Sequence, residues 1–370
     1  MIMTRTIATA SAAAILAGNA QAGGIDRSGQ SIAALFEAGN YAELSFGSVD
    51  PSVSGRLQAP LPPAASGDMA SSYSQAGFAY KHQFNDRVSA ALILDQPFGA
   101  DVSYPNGTGY PLAGTTAEFD ADALTLLGRY RFDGGFSLHA GLRHQRVSAN
   151  STLQGIIPGG YTVRGARDSG TGYVLGGAYE RPDIALRVAL TYNSTIETTH
   201  ATVETVGGAV VSTTPTRIET PESVNLDFQT GIAPGTLLFG GVRWVNWTAF
   251  DISPAFYSSP AGVGQPFLSY SDDTYTYTLG VGRKFSDTWS GSITASYEKS
   301  DGGFQSNLGP TDGKFGLTVG AKYTQGAMSI SGGLNYTWVG DARTSLGNPP
   351  TSRFADDDAV GVGVKIGYHF

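Results

Sequence analysis

From Tyr41 to the C-terminus, apolar and polar residues alternate one by one along most of the chain. The last stretch is the clearest: Val360, Val362, Val364, Ile366 and Tyr368 are apolar, and the residues between them are glycine or polar. Because successive side chains of a strand point to opposite faces, this pattern predicts a strand with one apolar face. Such a face packs on the core of a soluble sandwich or faces lipid in a transmembrane barrel.

The same alternation recurs along the chain and predicts about fourteen strands. They lie near residues 41–56, 70–84, 86–99, 117–132, 135–152, 164–180, 184–205, 218–232, 235–250, 274–285, 287–299, 313–324, 327–340 and 358–370. Aromatic residues cluster at the ends of the apolar faces, as the interfacial girdles of a membrane barrel require. We therefore favour an all-β fold, an antiparallel transmembrane β-barrel of about fourteen strands.

The connections between these strands alternate between short and long. Six short turns, such as the one at Asp133–Gly135, are interleaved with seven long loops rich in Gly, Pro and Ser, such as 251–273. Outer-membrane barrels have this layout, with short periplasmic turns, long extracellular loops and an even strand number. The interleaving predicts that both termini are periplasmic.

Composition supports export to an outer membrane. Residues 1–22 read as a signal peptide, with Arg5 before a short apolar run and a small-x-small cleavage site. Cysteine is absent, and charged residues are 15% of the chain, against roughly 25% in soluble domains. Beyond the signal, no stretch reaches about 18 consecutive apolar residues, which excludes helical spans. We expect a multi-pass protein of a Gram-negative outer membrane, in contact with its lipid and lipopolysaccharide.

Residues 23–40 interrupt the strand pattern and precede the barrel at 41–370. Ile32, Leu35 and Phe36 fall at helical spacing, and Gly39 follows as a stop signal. A barrel of about fourteen strands has a lumen that side chains alone cannot fill. We interpret this segment as a small plug, either a short amphipathic helix or an irregular chain.

The sequence shows little sign of other chemistry. A net charge of −8 argues against nucleic acid, which needs basic patches. His139 and His144 lie at an odd separation on one strand, so they point to opposite faces and cannot share a metal. No nucleophile elbow or helical zinc motif is present. We expect no enzyme activity, no cofactor and no metal.

The chain resembles the FadL family of outer-membrane transporters for long-chain fatty acids and other hydrophobic molecules. The resemblance rests on short stretches spread over the whole mature chain. They are Val53-Ser54-Gly55 after Asp50-Pro51, Thr220-Pro221-Glu222, Trp244–Phe250 with Trp247, Asp273-Thr274-Tyr275, Asp287-Thr288-Trp289 and Gly367-Tyr368-His369-Phe370. The terminal Tyr368 and Phe370 also fit the signal that barrel-assembly machinery reads.

The resemblance implies a monomeric barrel closed by an amino-terminal hatch, with a kink in the third strand that lets substrate diffuse sideways into the bilayer. The corresponding kink falls at Pro97, Phe98 and Gly99, because Pro cannot donate to a ladder and Gly tolerates bulge geometry. The alternative is that this strand simply ends at Asp95. The family's longer hatch with its Asn-Pro-Ala element is missing here, which leaves the gating open.

We therefore expect passive uptake of long-chain fatty acids or other hydrophobic compounds, that is, lipid transport. Apolar side chains of the long loop 251–273 could form a capture groove or merely pack the loop; they are Phe256, Tyr257, Phe267, Leu268 and Tyr270. Two alternatives stay open: a general porin with a water-filled lumen, and a structural or adhesive barrel. Porins place opposed charge clusters in a constriction loop, whereas loops 100–116 and 251–273 are rich in Gly, Pro and aromatics.

Overall fold

The protein, seen in a computed structural model that describes residues 25–345 and 351–370, is a closed antiparallel β-barrel of fourteen strands. The signal peptide predicted for residues 1–22 lies outside the described residues. The strands are β1 Tyr41–Ser52, β2 Tyr73–Gln83, β3 Val88–Ser103, β4 Thr116–Arg131, β5 Phe136–Leu153, β6 Tyr161–Arg181, β7 Leu186–Asn193, β8 Ser223–Ala233, β9 Thr236–Val245, β10 Thr274–Lys284, β11 Trp289–Glu298, β12 Lys314–Gln325, β13 Met328–Val339 and β14 Asp358–His369.

The barrel closes between its first and last strands. β1 pairs with β14 from Tyr41–His369 to Ser52–Asp358, and every other strand pairs with its sequence neighbours. Closure gives the backbone groups of β1 and β14 partners within the wall, as a lipid surrounding demands. The predicted fold class and all fourteen predicted strands are confirmed.

Alternation along the strands divides the residues between the two sides of the wall. On the outer surface, Phe46, Leu126 and Leu334 are exposed large hydrophobic side chains. The alternate positions face the lumen, where Thr125 and Ser331 are buried polar residues. The apolar outer surface is the one that a bilayer would cover.

The two ends of the barrel differ in their connections. The turns at one end, here the short-turn end, have two to four residues, for example 84–87 and 234–235. The loops at the other end, here the long-loop end, run from 7 residues (154–160) to 29 residues (194–222). The predicted sorting of connections by length is thus confirmed.

The long loops contain their own short elements. These are strands Ser54–Leu57, Ala65–Asp68, Ile196–His200, Thr202–Val206, Ala209–Ser212, Thr216–Thr220, Asp251–Ile252, Leu268–Ser269, Phe304–Gln305, Ala342–Thr344 and Ser352–Phe354, and the 3-10 turn Trp247–Ala249. Two further 3-10 turns are Ala33–Phe36 and Pro182–Ile184. No helix in the described ranges is long and apolar enough to cross a membrane.

Several predicted strand boundaries are wrong by four residues or more, among them the following two. The strand predicted at 184–205 leaves the barrel after Asn193, and the next two strands of that loop pair with Thr216–Thr220 and with β6. The third strand does not end at Asp95 or Gly99 but continues to Ser103. After Asn193 the alternation continues beyond the barrel, so the pattern could not mark the point of exit. In the third strand Pro97 and Gly99 interrupt the pattern, although pairing with β4 resumes at Phe98 and continues to Ser103.

Candidate functional site

A cluster of buried apolar side chains fills part of the lumen toward the long-loop end. It joins inward residues of β3, β4, β5 and β9 to the N-terminal segment (Ile25–Asn40), to the loop between β7 and β8 and to the loop between β9 and β10. Its members are Ile25, Phe98, Ala100, Phe119, Ala121, Val147, Ile218, Val245, Trp247, Phe250, Ile252 and Leu268. Trp247 is fully buried at its centre and makes edge contacts with Phe98 and Phe250.

An apolar cavity of about 630 Å³ adjoins this cluster. Its walls include Ile25, Phe119, Ile218 and Ile252, all buried. A concave and mostly apolar site formed by several elements is the usual form of a small-molecule binding site. We call it the apolar cavity below.

The five loop residues predicted as a capture groove separate into two groups. Phe267 and Leu268 line the apolar cavity, and Tyr270 lines a neighbouring cavity of about 600 Å³ that shares Ile25 with the first. Phe256 and Tyr257 instead pack in a separate apolar cluster with Tyr161 and Phe267. Burial raises the pKa of the Tyr257 and Tyr270 phenols, so both stay neutral.

Glu204 fixes the loop that carries these aromatics. Its buried carboxylate accepts hydrogen bonds from the backbone N–H groups of Phe256 and Tyr257, each at 2.9 Å, and from the Tyr161 hydroxyl at 2.8 Å. Bonds to an ionised acceptor are about twice as strong as neutral ones. The strand Thr202–Val206 therefore positions the loop against the lumen.

The apolar cavity offers no cation to a ligand. Among the described residues that line it, Glu118 carries a carboxylate, and lysine and arginine are absent. His200 lines it too, but both ring nitrogens are already used, Nδ1 with the Ala166 carbonyl and Nε2 with the Thr198 hydroxyl, each at 2.8 Å. An uncharged ligand suits such walls better than a carboxylate.

The ladder between β2 and β3 stops partway along the two strands. It runs from the short-turn end to the pair Phe78–Leu94, and farther on an isolated bridge joins Ala70 to Val102. We call the stretch between these two points the β2–β3 gap.

Pro97, Phe98 and Gly99, the predicted lateral opening, lie along the β2–β3 gap. The register of β3 on β4 shifts between Asp95 and Phe98, so β3 bulges there. Phe98 is buried against Trp247 in the apolar cluster. The gap and the apolar cavity therefore lie against the same group of side chains.

The beginning of the N-terminal segment pairs with β3 where β2 does not. The Arg27 N–H donates to the Pro97 carbonyl and the Gly99 N–H donates to the Ile25 carbonyl, each at 2.8 Å. Asp26 forms a two-pronged ion pair with Arg243 of β9, with Nε–Oδ2 at 2.5 Å and Nη2–Oδ1 at 3.1 Å. The segment thus links β3 to β9 across the lumen.

Ile32, Leu35 and Phe36 lie farther along the segment, against the inner wall. Ile32 and Leu35 are buried among inward residues of β1 to β4 and of β6. Two guanidinium carbons lie over the Phe36 ring, that of Arg129 at 4.6 Å and that of Arg187 at 4.8 Å from the ring centre. The predicted helix is a single 3-10 turn, Ala33–Phe36.

A second and larger cavity, of about 2040 Å³, lies beside the N-terminal segment. Small polar residues of β10 to β13 form much of its wall, among them Thr276, Thr278, Ser292, Thr294 and Asn335. Charged residues of both signs also line it, including Glu43, Arg187 and Lys365. We call it the polar cavity.

Tyr368 and Phe370 lie on the outer surface at the short-turn end. Their side chains are exposed and stack with ring centres 6.2 Å apart. The Phe370 ring also stacks on Tyr80 of β2 at 6.0 Å. This is the position of an aromatic girdle.

Sequence reasoning missed most of the apolar cluster. Phe119, Val147 and Val245 occupy inward positions, where the alternation predicts polar side chains. The available signal was in β4, where Phe119, Ala121 and Ala123 alternate with Asp120 and Asp122 and the apolar face changes sides at Leu124. No local pattern indicated that Ile25 belongs to the apolar cluster, because the residues that it contacts are distant in sequence.

Known structures are similar to this chain over most of its length, whereas no protein-family model matches it and no curated protein matches its sequence. A Pseudomonas aeruginosa FadL homologue has 15% identity and a TM-score of 0.73, covering 91% of this chain and 92% of its own. The Ralstonia pickettii toluene transporter TbuX has 12% identity, covering 96% and 97%, with a TM-score of 0.65. The Pseudomonas putida toluene transporter TodX has 14% identity, covering 90% and 91%, with a TM-score of 0.62. The chain therefore has the fold of the FadL-type barrels, fourteen strands around a lumen entered by its own N-terminal segment.

Proposed function

We propose that this protein is an outer-membrane channel for the passive uptake of hydrophobic compounds. The observation that carries the proposal is the position of the apolar cavity, inside the barrel and next to the β2–β3 gap. A water-filled pore gives a hydrophobic molecule no favourable path, whereas an apolar cavity does. Similar structures include toluene transporters, which supports the same class of substrate.

The route follows from the order of the elements. A ligand enters between the long loops, where Phe267 and Leu268 reach the apolar cavity. It leaves sideways at Pro97–Gly99, through the β2–β3 gap, into the lipid. Lateral release keeps the ligand away from water on the periplasmic side, which we assign to the short-turn end.

Among hydrophobic compounds, the cavity favours uncharged ones over long-chain fatty acids. A buried carboxylate without a cationic partner carries a desolvation cost of several kcal/mol, and the walls hold only the like-charged Glu118. Neutral aromatic or aliphatic molecules avoid this cost. Fatty acids would enter more slowly unless their carboxyl groups stay in the water near the loops.

Residues 25–40 act as a plug in this proposal. They are anchored by the Asp26–Arg243 ion pair at one end and by the contacts of Phe36 at the other. The competing function is a general porin, and the polar cavity is the observation that favours it.

One pair of measurements separates the two functions. Intact Gram-negative cells that express the protein should take up N-phenyl-1-naphthylamine, a neutral hydrophobic fluorophore, faster than cells with an empty vector. The refolded protein in a planar bilayer should show little ionic conductance until Gly24–Gly39 are deleted. A large steady conductance with the segment intact, or uptake equal to that of the empty vector, would refute the channel for hydrophobic compounds.

A further inference from the structure

The β2–β3 gap breaks the continuity of the barrel wall. In a bilayer, backbone N–H and C=O groups need partners, and an open edge costs several kcal/mol for each group left without one. The N-terminal segment supplies backbone partners to β3, at Pro97 and Gly99. What joins β2 to β3 across the gap is a set of three side chains, those of Arg27, Gln96 and Gln75.

Arg27 contacts both sides of the gap. Its Nη2 donates to Asp101 Oδ2 of β3 at 2.5 Å, and its guanidinium carbon lies 4.2 Å from the centre of the Tyr73 ring of β2. The side chain is 3% exposed. A Cβ atom at Gly99 would overlap the guanidinium, so the glycine leaves the space that Arg27 fills.

Gln96 makes the second connection. Its Oε1 accepts a hydrogen bond from the Ala76 N–H of β2 at 3.2 Å, and its backbone carbonyl accepts one from Gln75 Nε2 at 3.4 Å. Its Nε2 donates to Asp122 of β4 at 3.3 Å. These bonds are long and partly exposed, so they hold the gap less firmly than Arg27 does.

Arg27 can move without undocking the N-terminal segment. The segment keeps its own anchors, in which Asp26 binds Arg243 and the Ser28 hydroxyl donates to Asp95 Oδ2 at 2.6 Å. The buried Nε of Arg27 lacks a hydrogen-bond partner in the described chain. A buried donor without a partner weakens the closed arrangement, because burial has removed its water without replacing it.

We propose that the Arg27 side chain closes the β2–β3 gap and that its movement away from Tyr73 and Asp101 opens the barrel wall to lipid. The inference rests on the proposed function, since it names the residue that controls the lateral route. A neutral apolar ligand has no group to accept the guanidinium's hydrogen bonds. The ligand therefore passes through the gap only when the Arg27 side chain has moved out of it, with its ion pair to Asp101 broken or replaced by another contact.

The test compares Arg27→Ala with wild type by two readouts. Uptake of N-phenyl-1-naphthylamine by intact cells should rise at least fivefold in Arg27→Ala, while ionic conductance in a planar bilayer stays at the wild-type level. Arg217→Ala is the matched control, because Arg217 also pairs with a carboxylate, Glu197 at 2.8 Å, but on an exposed loop strand. Its uptake should not change.

Conductance distinguishes closure of the gap from a general anchoring role. If Arg27 only anchored the N-terminal segment, Arg27→Ala would raise conductance as well as uptake, and that result would overturn the inference. Unchanged uptake in a folded Arg27→Ala protein would overturn it equally. Folding is checked by the heat-dependent gel mobility of the barrel, and Arg27→Gln replaces Arg27→Ala if the latter does not fold.

A cross-link tests the position of the gap. The chain contains no cysteine, so Gln75→Cys with Gln96→Cys can be joined across the gap by a short bifunctional thiol reagent. In the Arg27→Ala background the cross-link should return uptake to the wild-type level or below, and continued fast uptake would overturn the inference.

Uptake by wild type separates the two proposals. If cells with the wild-type protein take up the fluorophore no faster than cells with the empty vector, the proposed function is refuted. If wild-type uptake exceeds that of the vector but equals that of Arg27→Ala, the Arg27 inference alone is refuted.

Discussion

The contact of Phe36 with two arginines offers a quantitative test of how the N-terminal segment is held. The ring lies 4.6 Å from the guanidinium carbon of Arg129 and 4.8 Å from that of Arg187. Arg129 is itself fixed, because it pairs with Glu180 and its Nε donates to Ser137 at 3.0 Å. The partner of the ring is therefore preorganised, and removing the ring should not allow Arg129 to follow it.

The perturbation is Phe36→Leu, which keeps an apolar side chain and removes the π system. Each cation–π contact contributes about 0.5 to 2 kcal/mol, rising as the pair loses water. The two contacts together then stabilise docking of the segment by about 1 to 4 kcal/mol. At 1.4 kcal/mol for each tenfold change, the undocked population rises between about fivefold and several hundredfold.

Single-channel recording in a planar bilayer measures this population as the fraction of time spent in a conducting state. The protein lacking Gly24–Gly39 gives the fully open reference. Phe84→Leu is the control, because Phe84 is an exposed residue at the short-turn end. If Phe36→Leu and wild type spend the same fraction of time in the conducting state while the deletion variant is fully open, the reasoning that these two contacts anchor the segment is refuted.

Three further predictions concern the long-loop end and the gap. Burial raises the pKa of Asp357 to about 7, so between about pH 4 and 7 the folded state binds more protons than the unfolded state and local stability falls as pH rises. The Ser54 amide, which donates to Asp357, should therefore be better protected from hydrogen exchange at pH 5.5 than at pH 8, after correction for intrinsic rates. Asp357→Asn should remove the difference. Glu204→Ala deprives two loop amides of their charged acceptor, so limited proteolysis within 253–267 should quicken by at least tenfold, as a loss of about 1.5 to 3 kcal/mol requires. Gly99→Ala should displace the Arg27 guanidinium, so this single substitution should raise uptake of the fluorophore above the wild-type level. Added to Arg27→Ala, it should give no further rise.

The barrel itself could be predicted from the sequence because the environment leaves few choices. A strand between lipid and lumen must alternate, and the alternation from Met328 to Trp338 therefore reproduces strand β13. Closure and connection order follow from the same constraint, since lipid tolerates no free edge. The extent of the strands could not be predicted where alternation continues into the loops, as it does after Asn193.

The N-terminal segment shows why the site could not be predicted in the same way. Its helical spacing singled out Ile32, Leu35 and Phe36 as residues of a plug, and in the structure all three contact the inner wall. Its most important contacts are not local: Asp26 and Arg243 are separated by 217 positions in the chain. Nothing in the residues near Asp26 or Arg27 identifies their partners, because an ion pair leaves no periodic pattern.

The inward apolar residues connect these two findings. In a barrel with a wet lumen, Phe119, Val147 and Val245 would each lose the favourable free energy of burial, about 1.5 to 3 kcal/mol for a fully buried large side chain. They are buried here because the N-terminal segment and the β9–β10 loop enter the lumen and cover them, through Ile25 and Ile252. The same covering leaves the apolar cavity between the layers. Breaks in the alternation on the lumenal face therefore mark where the barrel is filled, and a hydrophobic ligand would use the space at the edge of that filling.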